Sequence, residues 1–534
     1  MRKFIDKVKH HLEDASHHGG SQTAAYVSPT AGFAAAAGPF PNARDWYMYR
    51  KQRGVNLGSW FVLERWIADS PFRNAVAPAQ SDLDVAKGDH ARETLERHWD
   101  TWITEPDWAW LAGNGINTVR IPIGYYHICG ADPGVLAGTD FADLDHVFAG
   151  AWARVTNALA TAHRYGIGVL FDLHAAPGKQ NGDAHSGTSL EPAFFKHSRN
   201  MDHALRVLSA LVTHLTAFTR SHDPPLPNLV GIELLNEPAP NGHDDALKRW
   251  YKETFRVLRS IDPDLPLYIG DAWRTDDYAE FVKSAGTPAV VLDHHLYRCF
   301  TKEDITTPAA EHARRLRDGN DGTVQTFARV SGELEGAGGA LVVGEWSAAL
   351  NPGSLHGAPD ERAAKRGFVE AQLQLYEAHC AGWFFWTYKK ENGRDTGWSF
   401  RDALEGGVVP PDFRRRSGPA ARPAEHDPAR DARMAQARDK ALAEHAGYWQ
   451  QYPGHYEHWR FADGFARGWS DAYLFAALAP PGSKFAEEIG FVGPWTKRRA
   501  REHVAQKGDA SIWEFEHGFK QGLRAATADM AAAP

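Results

Sequence analysis

The chain has 534 residues, 43% of them hydrophobic and 24% charged, with a formal net charge of −8; that is an ordinary globular composition with room for one large domain and a smaller one. The negative balance and the lack of a long Lys/Arg run argue against nucleic acid or an anionic membrane as the main partner. Three cysteines, Cys129, Cys299 and Cys380, are an odd set without metal-ligand spacing, so they suggest neither a disulfide framework nor a zinc site.

The first residues, "MRKFIDKVKHHLEDASHHGG", carry charge throughout, where a secretory signal needs an apolar run. With no 18-residue apolar stretch either, the expectation is a cytoplasmic protein with no obligate membrane association, unconventional export being invisible to this reading. Residues 1–45 read as an N-terminal extension.

Between residues 46 and 408, eight short apolar, β-branched runs recur: 55–61, 116–123, 167–174, 229–237, 266–273, 289–297, 340–347 and 381–389. Their near-continuous apolarity suits strands buried on both faces, and the segments between them, such as "FAGAWARVTNALATAHRYG", have helical periodicity. Eight strand-then-helix units predict an α/β fold, a (β/α)8 TIM barrel with enlarged loops. An open doubly wound sheet is the alternative, but no Gly-rich phosphate loop follows the first strand. A barrel carries its site at the C-terminal ends of its strands. Polar residues gather there: Glu64, Arg120, His174, Asn236 with Glu237, Asp271, His295 with Tyr297, Glu345 and Trp386.

Residues 409–431 are rich in Pro, Arg and Ala and read as a linker or surface loop; residues 432–534 read as a helical extension packing on the barrel. Two segments there, "WRFADGFARG" (459–468) and "WEFEHGFKQG" (513–522), share W-x-F-x-x-G-F-x-x-G. The glycines predict close helix packing with the aromatics against the barrel flank; an accessory sugar-binding surface is the alternative.

Glu237, in "GIELLNEPAP", and Glu345, in "VVGEW", close the fourth and seventh runs, and the corresponding strands face each other across an eight-stranded barrel. Two opposed carboxyls suit glycosidic bond cleavage, where one gives a proton to the leaving oxygen and the other attacks the anomeric carbon, about 5–5.5 Å apart in a retaining enzyme. Asn236 is placed to bond a sugar hydroxyl, and Pro238 fixes where the Glu237 carboxyl points. Arg120 and Tyr297 are expected to keep the pKa of Glu345 low, and Glu345 in turn to keep Glu237 protonated by repulsion.

The motifs "RGVNLGSWFVLERWI", "NTVRIPIGYY", "DLHAAPGKQNG", "LLNEP", "HHLYRCF", "VVGEW" and "GWFFWTYK", collinear from about residue 50 to 400, resemble glycoside hydrolase family 5 and its fungal exo-β-1,3-glucanase (glucan 1,3-β-glucosidase) branch. The resemblance implies a retaining mechanism with Glu237 as acid/base and Glu345 as nucleophile. It places Arg120, His174, Asn236, His295, Tyr297 and Trp386 around the −1 sugar, Glu64 at the non-reducing-end glucose and Phe300 at the +1 sugar. It implies no metal and no organic cofactor; the partner is a β-glucan, oligosaccharide or glucoside substrate. The sequence departs from the family at "KQNGDAHSG", where Asp183 stands in the position of a Phe that forms the other half of a +1 clamp. Losing that face is expected to weaken +1 binding by about 0.5–1.5 kcal/mol. The disulfides and signal of secreted members are missing from the expected pattern, and the chain continues past the usual end of the barrel. The expectation is release of glucose from the non-reducing end of β-1,3-glucan or its oligosaccharides. The alternatives are a β-glucosidase or transglycosidase for a non-glucan glucoside and a non-catalytic carbohydrate-binding protein.

Overall fold

A computed structural model describes residues 41–413, 423, 427–478 and 485–532. Most of the expected N-terminal extension and much of the 409–431 segment lie outside the described residues. Eight parallel strands close into a barrel in sequence order: β1 (Gln52–Asn56), β2 (Thr118–Gly124), β3 (Gly168–Ala175), β4 (Leu229–Glu233), β5 (Leu267–Gly270), β6 (Val290–Leu296), β7 (Ala340–Trp346) and β8 (Gly382–Phe385). Closure is made by β1 against β8, with Gln52 opposite Gly382 and Val55 opposite Phe385. All eight expected runs hold a strand, and the barrel is a TIM barrel.

Several boundaries differ from the expected ones; the fifth and eighth strands, for example, stop at Gly270 and Phe385, short of 273 and 389. The first strand starts earlier, at Gln52, whose N–H donates to the Ala381 carbonyl at 3.0 Å beside β8; after Leu57, whose N–H still donates to the Arg120 carbonyl, residues 58–63 leave the ladder and stay buried. The fourth strand stops at Glu233, so Glu237 stands beyond the strand on the turn that follows it.

The helices between strands are amphipathic and pack their apolar faces on the barrel. Among them are α2 (Ala151–Arg164), after β2, and α3 (Ser198–Ser221), after β3. Ahead of β1 lies α1 (Ala43–Tyr49), capped at Asn42 by a reciprocal pair of hydrogen bonds with Asp45. Among the described residues, a short helix (Phe400–Glu405) follows β8, and four longer ones come after it: α4 (Arg430–Trp449), α5 (His458–Ala477), α6 (Val492–Lys507) and α7 (Ile512–Ala532).

The inward side chains Leu170, Val230, Tyr268, Val291, Val342 and Phe384, from β3 to β8, form one apolar cluster with Trp46–Tyr49 of α1 and with Phe491 and Trp495 at the start of α6. Polar contacts at the N-terminal strand ends fix the same junction. Lys51 N–H donates to the Glu488 carbonyl at 2.8 Å just before β1, and Asn117 Nδ2 donates to Glu487 Oε2 at 2.9 Å just before β2. The C-terminal helices therefore close the floor of the barrel rather than its flank, opposite the face where a site is expected.

The two copies of the repeated motif lie on α5 and α7. A methyl group on Gly464 or Gly468 would strike the backbone at Phe515 or Phe519, and one on Gly518 or Gly522 would strike Phe461 or Phe465. The repeat thus makes a pseudo-symmetric, side-by-side helix pair in which backbone meets backbone.

Candidate active site

Register shifts near the C-terminal ends of the strands aim the side chains. Between β6 and β7, His294 pairs with Val343 and His295 with Glu345, so Gly344 is skipped. Gly344 is required because the Asp293 carboxylate lies where a Cβ would be, and the Gly344 N–H donates to Asp293 Oδ1 at 2.5 Å. The result sets His295 beside Glu345.

Glu237 is held in a left-handed backbone conformation, φ +42°, which a glutamate rarely adopts. The loop after β3 holds it there: Asn181 Nδ2 donates to the Glu237 carbonyl at 3.0 Å, and Gln180 Nε2 to the carbonyls of Asn236 at 3.0 Å and His174 at 2.7 Å.

Arg120 is fully buried at the centre of the mouth and uses its whole guanidinium fork. Nε donates to Glu233 Oε2 at 2.6 Å, Nη1 to Asn56 Oδ1 at 2.9 Å and to Glu345 Oε1 at 3.0 Å, and Nη2 to Asn236 Oδ1 at 2.8 Å with Asp172 Oδ2 at 3.1 Å. Burial works against charge on this arginine, but the three carboxylates raise its pKa well above the ordinary value. Burial also pushes Glu233 well above the carboxylate range and Asp172 up to about 7 against the pull of Arg120.

Tyr297 Oη donates to Glu345 Oε2 at 2.8 Å, and His295 Nδ1 donates to Glu237 Oε1 at 2.8 Å and lies 3.5 Å from Glu345 Oε2. Oxygens of Glu237 and Glu345 and a nitrogen of His295 all lie within 4.8 Å of one another. Burial opposes charge on His295, but Glu345 and Asp293 hold its pKa well above the usual imidazole range. Burial likewise pushes Glu237 up, yet the His295 hydrogen bond and charge outweigh it and bring Glu237 down to about 2. Glu345 is pushed up to about 7 by burial and by the Glu237 charge, against His295, Arg120 and Tyr297. This corrects the expectation that Glu345 is held low and Glu237 high: in the free site His295 lies directly against Glu237 and reverses the order. The proton belongs to the Glu237–His295–Glu345 cluster as a unit, and shifting it from Glu345 to Glu237 leaves the count of bound protons unchanged.

Around the trio, His174 Nδ1 donates to Asp172 Oδ2 at 2.6 Å, its ring stacks on Trp386 at 5.6 Å, and Asn236 Nδ2 donates to its Nε2 at 3.4 Å. Glu64 accepts from Trp66 Nε1 at 2.8 Å, and burial lifts its pKa to about 8, so it carries a proton at neutral pH. These groups line a cleft of about 1010 Å³ that also takes in Asp183, His185, Trp273, Phe300 and Trp398. Phe300 projects into solvent, 69% exposed, with its edge toward Tyr297 and Trp398.

The residues expected around the sugars thus line one cleft or, for Arg120 and Asn236, lie beneath it; Asp271 does not line it, its carboxylate accepting from Thr275 Oγ1 at 2.6 Å and from the Trp273 N–H at 2.9 Å and facing His294 Nδ1 at 2.6 Å. Reading the sequence missed Asn56, Asp172, Glu233 and Asp293, which hold Arg120 and His295, and His185, whose Nε2 lies 3.6 Å from Glu237 Oε2. The local signal for the buried acids was a lone carboxylate inside an apolar run, as in "VLFDLH" and "GIELL". The His/acid groups at the mouth could offer metal ligands, but Arg120 and His295 already supply cationic partners to their carboxylates.

The family model for cellulase, glycosyl hydrolase family 5, matches residues 87–392, more than half the chain. The chain belongs to glycoside hydrolase family 5. A further model, the C-terminal domain of glucan 1,3-beta-glucosidase 3, matches residues 430–530, the stretch of α4 to α7. The glucan 1,3-beta-glucosidase 3 of Schizosaccharomyces pombe is 32% identical over 493 residues, covering 90% of this chain and 95% of that protein. An uncharacterized glycosyl hydrolase of Saccharomyces cerevisiae is 31% identical over 504 residues, covering 89% and 91%. A glucan 1,3-beta-glucosidase of Kluyveromyces lactis is 31% identical over 436 residues, covering 72% of this chain and 94% of that one. Among solved structures, the rutinosidase from Aspergillus niger has a TM-score of 0.53 at 19% identity, covering 68% of this chain and 99% of its own, a likeness of fold. This family 5 protein is accordingly a glycoside hydrolase, and no helix among its described residues is long and apolar enough to cross a membrane.

Proposed function

We propose that this family 5 enzyme releases glucose with retention from the non-reducing end of β-1,3-glucan or its oligosaccharides, with Glu345 as nucleophile and Glu237 as acid/base. The observation that carries the retaining reading is the approach of the two carboxyls, whose oxygens come within 4.8 Å. An inverting pair would stand about 6.5–9.5 Å apart to admit a water. Glu345 is the better nucleophile of the two because Arg120 and Tyr297 fix both its oxygens. The leaving oxygen takes its proton from Glu237, which His295 can recharge through their hydrogen bond. In the second half, Glu237 removes a proton from the water that releases the sugar from Glu345.

Asn236 and His174, oriented by Arg120 and Asp172, stand to bind sugar hydroxyls, and Trp386 offers a ring face beside them. Glu64, carrying a proton, can both donate to and accept from a terminal glucose, which supports exo action. The names of the S. pombe and K. lactis relatives support the β-1,3-glucan substrate. A second reading, a glucoside with a small or lipid aglycone, draws on Asp183 and His185 facing the leaving-group side in place of an aromatic clamp. A product profile on laminarin, gentiobiose, cellobiose and an aryl β-glucoside, with anomer detection, separates them. Glucose released first from laminarin with β configuration supports the glucan reading; hydrolysis of the aryl glucoside alone replaces it with the second.

A further inference from the structure

Far from the mouth, the C-terminal helices bring together three side chains that sequence spacing could not connect: His445 on α4, His458 at the first position of α5 and Glu514 in the first turn of α7. Both imidazoles address one oxygen. His445 Nε2 lies 3.0 Å and His458 Nδ1 2.7 Å from Glu514 Oε2, and all three atoms lie within 4.8 Å of one another. The other oxygen, Oε1, is occupied by the Glu457 N–H at 2.6 Å, which fixes the carboxylate's orientation.

We propose that this trio is a binding site for a divalent transition metal of the zinc type, with His445 Nε2, His458 Nδ1 and Glu514 Oε2 as ligands and water completing the shell. The donor set is two imidazoles and one carboxylate, which suits zinc rather than the oxygen-only preference of calcium and magnesium. The site is walled by Phe461 and Trp513, whose ring centroids lie 4.3 and 5.8 Å from that of His445.

Zinc–nitrogen and zinc–oxygen bonds of about 2.0–2.2 Å in a tetrahedron place ligand atoms roughly 3.3 Å apart. Two of the three separations, 3.0 and 2.7 Å, lie just inside that spacing, and the third is within 4.8 Å. Both imidazoles already aim a ring nitrogen at the carboxylate oxygen that would share the metal. His458, with its side chain 30% exposed, is the route of entry. The site ties α4 to the starts of α5 and α7, so its consequence is structural: it clips the helices that close the barrel floor.

The test uses the full chain, stripped with a chelator, loaded with zinc sulfate and passed through gel filtration. Expected are about one retained zinc per chain, a zinc X-ray absorption spectrum with imidazole scattering and a melting temperature raised by zinc. His458→Ala and Glu514→Gln should lose both the zinc and the melting shift, while Glu345→Gln, altered only at the mouth, should keep them. Hydrolysis of an aryl β-glucoside by His458→Ala shows that this variant is folded; if Glu514→Gln fails to fold, His458→Ala decides. A wild-type chain that retains no zinc, or equal retention by a folded His458→Ala, overturns the proposal.

Discussion

His295 connects two carboxylates that mechanism requires to behave differently. It donates to Glu237 at 2.8 Å while lying 3.5 Å from Glu345, and the three groups hold a proton whose loss is governed by the Glu345 position, near pH 7. The sign follows from the proposed mechanism: if that proton is the one delivered to the leaving oxygen, activity is present while it is bound and lost as pH rises through about 7. A profile of kcat/KM on a poor leaving group should fall about tenfold per unit above that pH. Glu237→Gln should abolish this limb, and a profile flat to pH 9 would contradict the shared-proton reading. Backbone strain at the same residue gives a second expectation. Asn181→Ala removes the hydrogen bond to the Glu237 carbonyl and should lower kcat roughly tenfold with KM little changed, since misplacement of a catalytic group costs rate before it costs binding. Equal changes in both constants would place Asn181 in substrate binding instead.

At the scale of elements, the strands were legible because each is buried on both faces and so reads as an unbroken apolar run. The two carboxylates were legible for a related reason: each breaks such a run at its end. What the runs could not tell was which of their own acids face inward. Asp172 and Glu233 sit inside β3 and β4 and matter only because Arg120 reaches them from β2. Likewise His185 is an ordinary loop residue until the turn at Glu237 folds back toward it. The paired glycines of α5 and α7 were legible as a repeat, and the structure shows their use. Gly518→Val forces a side chain against the Phe461 backbone, which cannot yield, and should destabilise by about 1–3 kcal/mol or more. Gly447→Ala, on the exposed face of α4 with open space around it, should be neutral or stabilising by about 0.5–1 kcal/mol. Chemical denaturation of both variants tests this, and equal effects would show that α5 and α7 are not packed backbone to backbone.

Across the whole molecule, the barrel has one face devoted to chemistry and one to closure. The C-terminal helices, through α1, Phe491 and Trp495, complete the apolar cluster inside the strands' N-terminal half. The mouth is left to the Arg120 network and the cleft above it. The placement of the extension at the floor was not readable from its sequence, because its aromatics serve equally well on any apolar surface. The account as a whole rests on Glu345 forming a covalent bond to the sugar. Incubation with a 2-deoxy-2-fluoro-β-glucosyl donor, followed by intact-mass and peptide mapping, measures that directly. The account predicts one fluoroglucosyl adduct per chain on the peptide carrying Glu345 and none in Glu345→Gln; an adduct on Glu237, or turnover with no covalent species, would contradict it.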